Sequence, residues 1–198
     1  MDFTAYLTAI TGFFVIIDPI GAALIFHSLI PEDELRYRRL MAFKSIIISI
    51  LLLIIFGFYG ETLLQLLGIN INSMRIAGGL LLFYTAFNMI TRGARLSVAS
   101  EKTDISVFPM TIPLMAGPGA LTLSILLFSS SSSPSNHIAI IAAILTISLL
   151  TLLLMLTSRH LRRLVGHTGD EIIRRFLGVI LAALSIQFIY DGINNMIS

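Results

Sequence analysis

Asp18-Pro19-Ile20-Gly21 sets a carboxylate, a proline and a glycine near the middle of an apolar run over residues 3–30. Proline removes a backbone N–H and clashes with the preceding turn, so this run predicts a helix interrupted at residues 18–21. N–H and C=O groups freed at membrane depth are costly unless protein or a water-filled cavity satisfies them. An ionisable side chain at the same place is a candidate functional group, able to hold a proton, a cation or an ammonium. A second interruption, Ala116-Gly117-Pro118-Gly119-Ala120, cuts the apolar run over residues 107–128. Paired interruptions in two halves of a chain point to the binding site of a transporter.

The chemistry of such a pair is specific. A helix restarting after Gly21 or after Gly119 presents unpaired N–H groups and a positive dipole end, which suits a carboxylate. Asp18 could pair with an ammonium, so a zwitterion such as an amino acid satisfies both. The candidate substrate-binding residues are Asp18, Pro19, Gly21, Ala22, Gly117, Pro118, Gly119, Ala120 and Thr122. The glycines matter because a side chain would keep a ligand from the backbone. Two plainer readings stand beside this one: Pro and Gly as simple kinks of membrane helices, and Asp18 as a cap on the second half-helix. Asp18 and His27 are the candidates for coupling to a proton or cation, although a lone histidine near the end of a span also fits a packed or interfacial residue. Thr111, Thr122 and Ser124 flank the second break and could line a polar cavity. Asn88, Gln187 and Asp191 read as interhelical hydrogen-bond partners or interfacial groups.

These groups must be positioned by lipid-facing helices. The 198 residues are 56% hydrophobic and 12% charged, with a mean hydropathy of +0.93. Soluble domains carry roughly 25% charged residues, and several runs here approach the roughly 20 residues that span a bilayer. The fold class is an all-α polytopic membrane protein. Six spans are expected, over residues 3–30, 42–59, 75–90, 107–128, 138–156 and 176–190, the last reaching towards 197. Pro31-Glu32-Asp33-Glu34 predicts the start of a helix that runs on into the second span. Residues 61–73 and 91–104, the serine run 129–133 and the arginine-rich stretch before residue 176 are expected as connections. The N-terminus lacks the basic segment of a signal peptide, so the first run is expected to be retained as a span.

Basic residues sort by side. The first, third and fifth connections hold 4, 3 and 5 of them, while the other side holds only Arg75. By the positive-inside rule those connections are cytoplasmic and both termini lie outside, in the periplasm. An internal repeat agrees with this. Arg75-Ile76-Ala77-Gly78-Gly79 resembles Arg175-Phe176-Leu177-Gly178-Val179 at an offset of 100, and Pro19 and Pro118 are offset by 99. Residues 1–100 and 101–198 are therefore expected as two three-helix repeats, the first helix of each broken. Three spans is an odd number, so the second copy is inverted.

Other chemistry finds no foothold. There is no cysteine, which excludes disulfides, thiolate catalysis and cysteine metal sites. No HExxH, GxSxG, P-loop or dinucleotide fingerprint occurs, the four histidines have no metal-ligand spacing, and topology accounts for the bases. No enzyme activity, cofactor, metal or nucleic-acid partner is expected.

FVIIDPIGAALIF over residues 14–26, PLMAGPGA over residues 113–120, and the Arg75-Ile76-Ala77-Gly78-Gly79 stretch resemble the signatures of the MarC family of inner-membrane proteins. The resemblance covers essentially the whole chain. It implies six spans in a 3+3 arrangement, and some members look like transporters of small neutral amino acids such as glycine, alanine, serine or threonine. The motif positions carried over are Asp18, Pro19, Gly21, Gly117, Pro118 and Gly119. Ala22 and Leu24 depart from it, standing where the family often has Asn and Pro. The function expected is secondary transport of a small neutral amino acid across the inner membrane by alternating access, with H⁺ or Na⁺ as coupling ion. The alternatives are a non-transporting structural or regulatory membrane protein, and an exporter or channel for other small solutes. Lipid is the expected surroundings, and oligomeric state is open.

Overall fold

The computed structural model describes residues 2–30, 34–91, 104–131 and 133–197. Its helices are α1 (Phe3–Ile17), α2 (Pro19–Leu29), α3 (Leu35–Leu66), α4 (Ile71–Thr91), α5 (Pro118–Ser129), α6 (Pro134–Leu156) and α7 (Ser158–Ile197). An irregularly wound proline segment, Ser106–Met115, precedes α5. Among the described residues five stretches are long and apolar enough to cross a membrane: Phe3–Leu29, Leu35–Leu66, Ile71–Thr91, Pro134–Leu156 and Glu171–Ile197. The proline segment and α5, bent by 55°, make a sixth when taken together. The protein is an all-helical, multi-pass membrane protein.

Local chemistry explains the boundaries. Asp2 caps α1, its carboxylate accepting the N–H groups of Thr4 at 2.9 Å and Ala5 at 3.3 Å. Pro19 cannot continue α1 but suits the first position of a new helix, where no N–H is needed. The junction residue Asp18 turns left-handed at φ 47° and ψ 71°, a conformation that short polar side chains tolerate.

The fourth span differs from expectation in its first half. A residue before proline is pushed out of the α region, and Phe108 and Ile112 are accordingly extended at φ −127° and −119°. Two prolines four residues apart thus prevent a regular half-helix. The peptide bonds before Pro109 and Pro113 are cis.

Three further expectations change. α3 is continuous for 32 residues, about 48 Å at 1.5 Å per residue, and absorbs residues 61–66 because nothing there breaks a helix. The arginine-rich stretch is helical too, turning at Gly166 with φ 64°. Ser129 ends α5, and only residues after it form the connection. The helix start expected at Pro31, Glu32 and Asp33 lies outside the described residues, as do the connection through Arg92, Arg95 and Lys102, Ser132, and the side chains of Arg162, Arg163 and Arg174.

Packing follows the logic of a lipid solvent, in which small and hydroxyl residues face other helices. On α3, Ile47, Leu51, Ile55 and Phe58 point outward, while Ala42, Ser45, Ser49, Gly57 and Gly60 are buried. Gly57 and Gly60 let Phe128 and Ile125 of α5 close on α3, and Ser124 Oγ donates to Leu53 O at 2.7 Å. α4 and α7 run antiparallel along each other. A Cβ on Gly79 would lie 2.8 Å from Ser185 O, and one on Gly178 would lie 3.3 Å from Ala86 O. The other contacts join α1 to α6, α5 and α7, α2 to α6, α7 and the proline segment, and α3 to α5, α6 and the proline segment; α4 also meets α5, and α6 meets α5 and α7.

Candidate functional site

The two breaks meet. A Cβ on Gly119 would lie 3.5 Å from Ile16 Cγ2, and one on Gly12 would lie 2.9 Å from Leu123 Cδ2. The last turn of α1 therefore lies antiparallel against the first turn of α5. The C-terminal, negative end of one dipole faces the N-terminal, positive end of the other.

The two helix starts are finished differently. At α2, Asp18 Oδ1 accepts the Gly21 N–H at 3.0 Å and Asp18 O accepts the Ala22 N–H at 2.8 Å. Asp18 is 8% exposed, so the carboxylate is a buried cap. Gly21 exists for that cap: a Cβ there would fall 2.1 Å from Asp18 Oδ2. At α5 the equivalent residue before proline is Gly117, which has no side chain to offer, and no side-chain cap is made. Pro118 has no N–H, and Leu121 N–H already donates to Gly117 O at 3.0 Å. Gly119 and Ala120 are left as the N–H donors without a helical acceptor. Both helices start at the proline, before the glycine of each motif rather than after it.

Each remaining candidate has a definite place. Pro19 and Ala22 are buried in the first turn of α2, and Pro118 is exposed at the start of α5. A Cβ on Gly117 would meet the Pro113 carbonyl oxygen at 2.0 Å, so that glycine serves close backbone approach. Over Gly119 sits Leu82 of α4, whose Cδ2 would lie 2.1 Å from an added Cβ. Thr122 is buried, donates to Pro118 O at 2.8 Å, and presses its side chain where a Cβ on Gly78 would be. Thr111 donates to Ser106 O at 2.7 Å and to Ser45 O at 3.3 Å. Thr111 and Ser124 thus join helices rather than line a cavity.

His27 does not join the breaks. It lies nine residues beyond Asp18, roughly 13 Å along α2, with Nδ1 3.5 Å from Arg38 Nη2. Arg38, one of the four bases counted in the first connection, is 8% exposed and ties three elements together. It donates to Ile30 O at 2.9 Å and Ser158 Oγ at 2.8 Å, and stands 5.5 Å from the centre of the Phe26 ring. Nothing in its neighbourhood in sequence separates it from Arg36 or Arg39.

A cleft of about 660 Å³ lies between α1, α5 and α7, closed on one side by Arg75 of α4. Its walls reach from Asn195, Asp191 and Thr8 to Gly12, Leu123 and Val15, the last within one turn of Asp18. Among the described residues no group of three His, Asp or Glu side chains could hold a metal ion.

The comparisons with known proteins cover the whole arrangement. The family model described as MarC family integral membrane protein matches residues 3–197. A UPF0056 membrane protein of Archaeoglobus fulgidus is 33% identical over 204 residues, covering 98% of this chain and 96% of the relative. The UPF0056 membrane protein YhcE of Escherichia coli is 33% identical over 203 residues, with 98% and 94% covered. YvbG of Bacillus subtilis, of the same designation, is 29% identical over 205 residues, with 99% and 97% covered. None of these names carries a substrate. No solved structure matches the chain. With a family match running from the first helix to the last, over both proline breaks, this chain belongs to the MarC family of integral membrane proteins.

Proposed function

We propose that the protein is a secondary transporter of small neutral amino acids of the glycine, alanine, serine and threonine type. It sits in the inner membrane with both termini outside and works by alternating access around the two breaks. The observation that carries this reading is the pairing of an uncapped helix start with an acid-bearing helix end. The Gly119 and Ala120 N–H groups would take the substrate carboxylate. The ammonium would face the last carbonyls of α1 and the negative charge of Asp18, whose carboxylate can accept several hydrogen bonds. Ile16 and Leu82 crowd the space above Gly119 and favour a small side chain. The assignment differs from two anion-binding helix starts, because Asp18 already occupies the start of α2.

Residues 1–100 and 101–198 are proposed as inverted repeats. Exchanging α1 with the proline segment, α2 with α5, α3 with α6 and α4 with α7 turns most of the packing pairs into one another. The Gly79–Ser185 approach becomes the Gly178–Ala86 approach at the offset of 99 that also relates Pro19 to Pro118. Asp104, which accepts from Ser106 N–H at 3.0 Å, opens the second half as Asp2 opens the first. Antiparallel equivalent helices are what an inverted repeat requires. Coupling to H⁺ is assigned to Asp18, the titratable group at the breaks.

The test is uptake of labelled glycine and alanine into proteoliposomes, with and without a proton gradient. Saturable, gradient-driven uptake that Gly119→Leu abolishes is the expected result. Absence of flux for any small amino acid, from folded protein, would sink the assignment.

A further inference from the structure

We propose that Arg75 and Asp191 form an outer subsite that takes an amino-acid zwitterion before it reaches the breaks, the guanidinium binding its carboxylate and Asp191 its ammonium. The proposal rests on the transport reading above and adds a second, separate place for the substrate.

The cleft between α1, α5 and α7 supplies the geometry. Its volume of about 660 Å³ lies in the usual range of small-molecule sites. Antiparallel contact of α4 with α7 sets Arg75 beside Gly192, with Arg75 Cβ 3.3 Å from a Cβ at that glycine. Arg75, Asp191 and Asn195 therefore share one end of the cleft, while Val15, Leu123 and Ile180 form the other. Asp191 and Ile180 are eleven residues apart on α7, roughly 16 Å. A molecule the size of glycine cannot span that distance, so the charged end and the breaks are distinct stations on one path.

The hydrogen bonds of the two charges at this end stay within about one turn of their own helices. Arg75 is the basic residue on the side the positive-inside rule leaves poor in bases, so topology does not explain it. Its repeat counterpart Arg175 forms an ion pair with Glu171 one turn away. Ile71 stands at the corresponding place before Arg75. Arg75 and Asp191 make their contacts with neutral amides rather than with each other: Nη1 with Asn72 Oδ1 at 3.4 Å, and Oδ1 with Gln187 Nε2 at 2.7 Å. Both are half-buried in a largely apolar wall, where opposite charges held apart suit a ligand bearing both signs. The phosphate of an anionic phospholipid would meet Arg75 but be repelled by Asp191, which favours a zwitterion over an anionic lipid headgroup.

The experiment measures the external KM for glycine in sided vesicles carrying wild-type protein, Arg75→Gln, Asp191→Asn and Arg75→Lys. Loss of a charge-assisted hydrogen bond predicts an external KM raised about tenfold or more in the first two variants. Maximal flux and the internal KM should stay within about twofold, since the breaks are intact. Arg75→Lys, which keeps the charge, should recover much of the affinity and shows that a rise is not misfolding. Unchanged external KM in both charge-removing variants, with wild-type flux normal, would overturn the subsite alone. Equal losses in maximal flux and in both KM values would mark a structural role and overturn it as well. Dependence of Arg75→Gln flux on phosphatidylglycerol content, with KM constant, would assign the cleft to lipid. No glycine flux by the wild-type protein would remove the transport reading and the subsite with it.

Discussion

A methyl group on Gly119 would sit 2.1 Å from Cδ2 of Leu82, a side chain only 2% exposed. The first turn of α5 and the middle of α4 are thus fitted to each other around a missing Cβ. Gly119→Ala should force Leu82 aside and destabilise the protein by about 1–3 kcal/mol, as overpacking does. Leu82→Ala in the same chain should relieve it, so thermal unfolding of the double variant should lie nearer wild type than additivity allows. Leu82→Ala alone should widen the range of side chains accepted in an uptake competition assay. Strict additivity of the two substitutions would contradict the contact.

Asp18 and Gly21 should behave as one unit. Asn is as good a cap as Asp and tolerates the left-handed conformation, so Asp18→Asn should keep the protein folded and abundant while lowering flux. Asp18→Ala should cost about 1 kcal/mol for the lost cap. Gly21→Ala should reproduce that cost, because its Cβ would fall 2.1 Å from Asp18 Oδ2 and displace the carboxylate. Full flux in Asp18→Asn would reduce Asp18 to a cap.

Arg38 should be irreplaceable by lysine. A single ammonium cannot serve both Ile30 O and Ser158 Oγ as the guanidinium does at 2.9 and 2.8 Å. Arg38→Lys should lower stability by about 1.5–3 kcal/mol, the range for hydrogen bonds to a buried charge. Ser158→Ala should cost less, since it removes one neutral partner. Thermal unfolding in detergent checks both, and an unchanged Tm for Arg38→Lys would count against the strap.

Asp104 gives a pH signature. Its carboxyl is held below the ordinary value by the hydrogen bond from Lys44 and then by that from Ser106. A depressed pKa means the stabilisation is complete above the unfolded value of about 3.9 and disappears as pH falls through the lower folded value. The Tm difference between wild type and Asp104→Asn should be level from about pH 7 to about pH 5 and shrink below about pH 4. It should be small throughout, because the pair is 45% and 40% exposed. A difference that grows on acidification would reverse the sign argued here.

The sequence by itself determined the helical class, the apolar stretches and the positions of the breaks. Apolar runs of bilayer length and prolines that cannot continue a helix act through the local backbone, so Asp18-Pro19 and Gly117-Pro118 were legible at once. The two prolines before the second break lie within a run expected as a span, and the extended Phe108 and Ile112 that they impose came only with the structure. Only the tertiary structure decided which polar groups were already spent. That Asp18 caps α2 was decided only when the Gly21 N–H was placed on its carboxylate. Thr111, Thr122 and Ser124 could line a cavity until their hydroxyls were found on carbonyls of their own or neighbouring helices. Nothing local set Arg38 apart from Arg36 and Arg39, whereas Arg75 stood out by its side of the membrane. Packing drew Arg38 into a buried strap between α2, α3 and α7 and left Arg75 on the wall of a cleft, because hydrogen-bond partners more than a hundred residues away have no trace in local spacing.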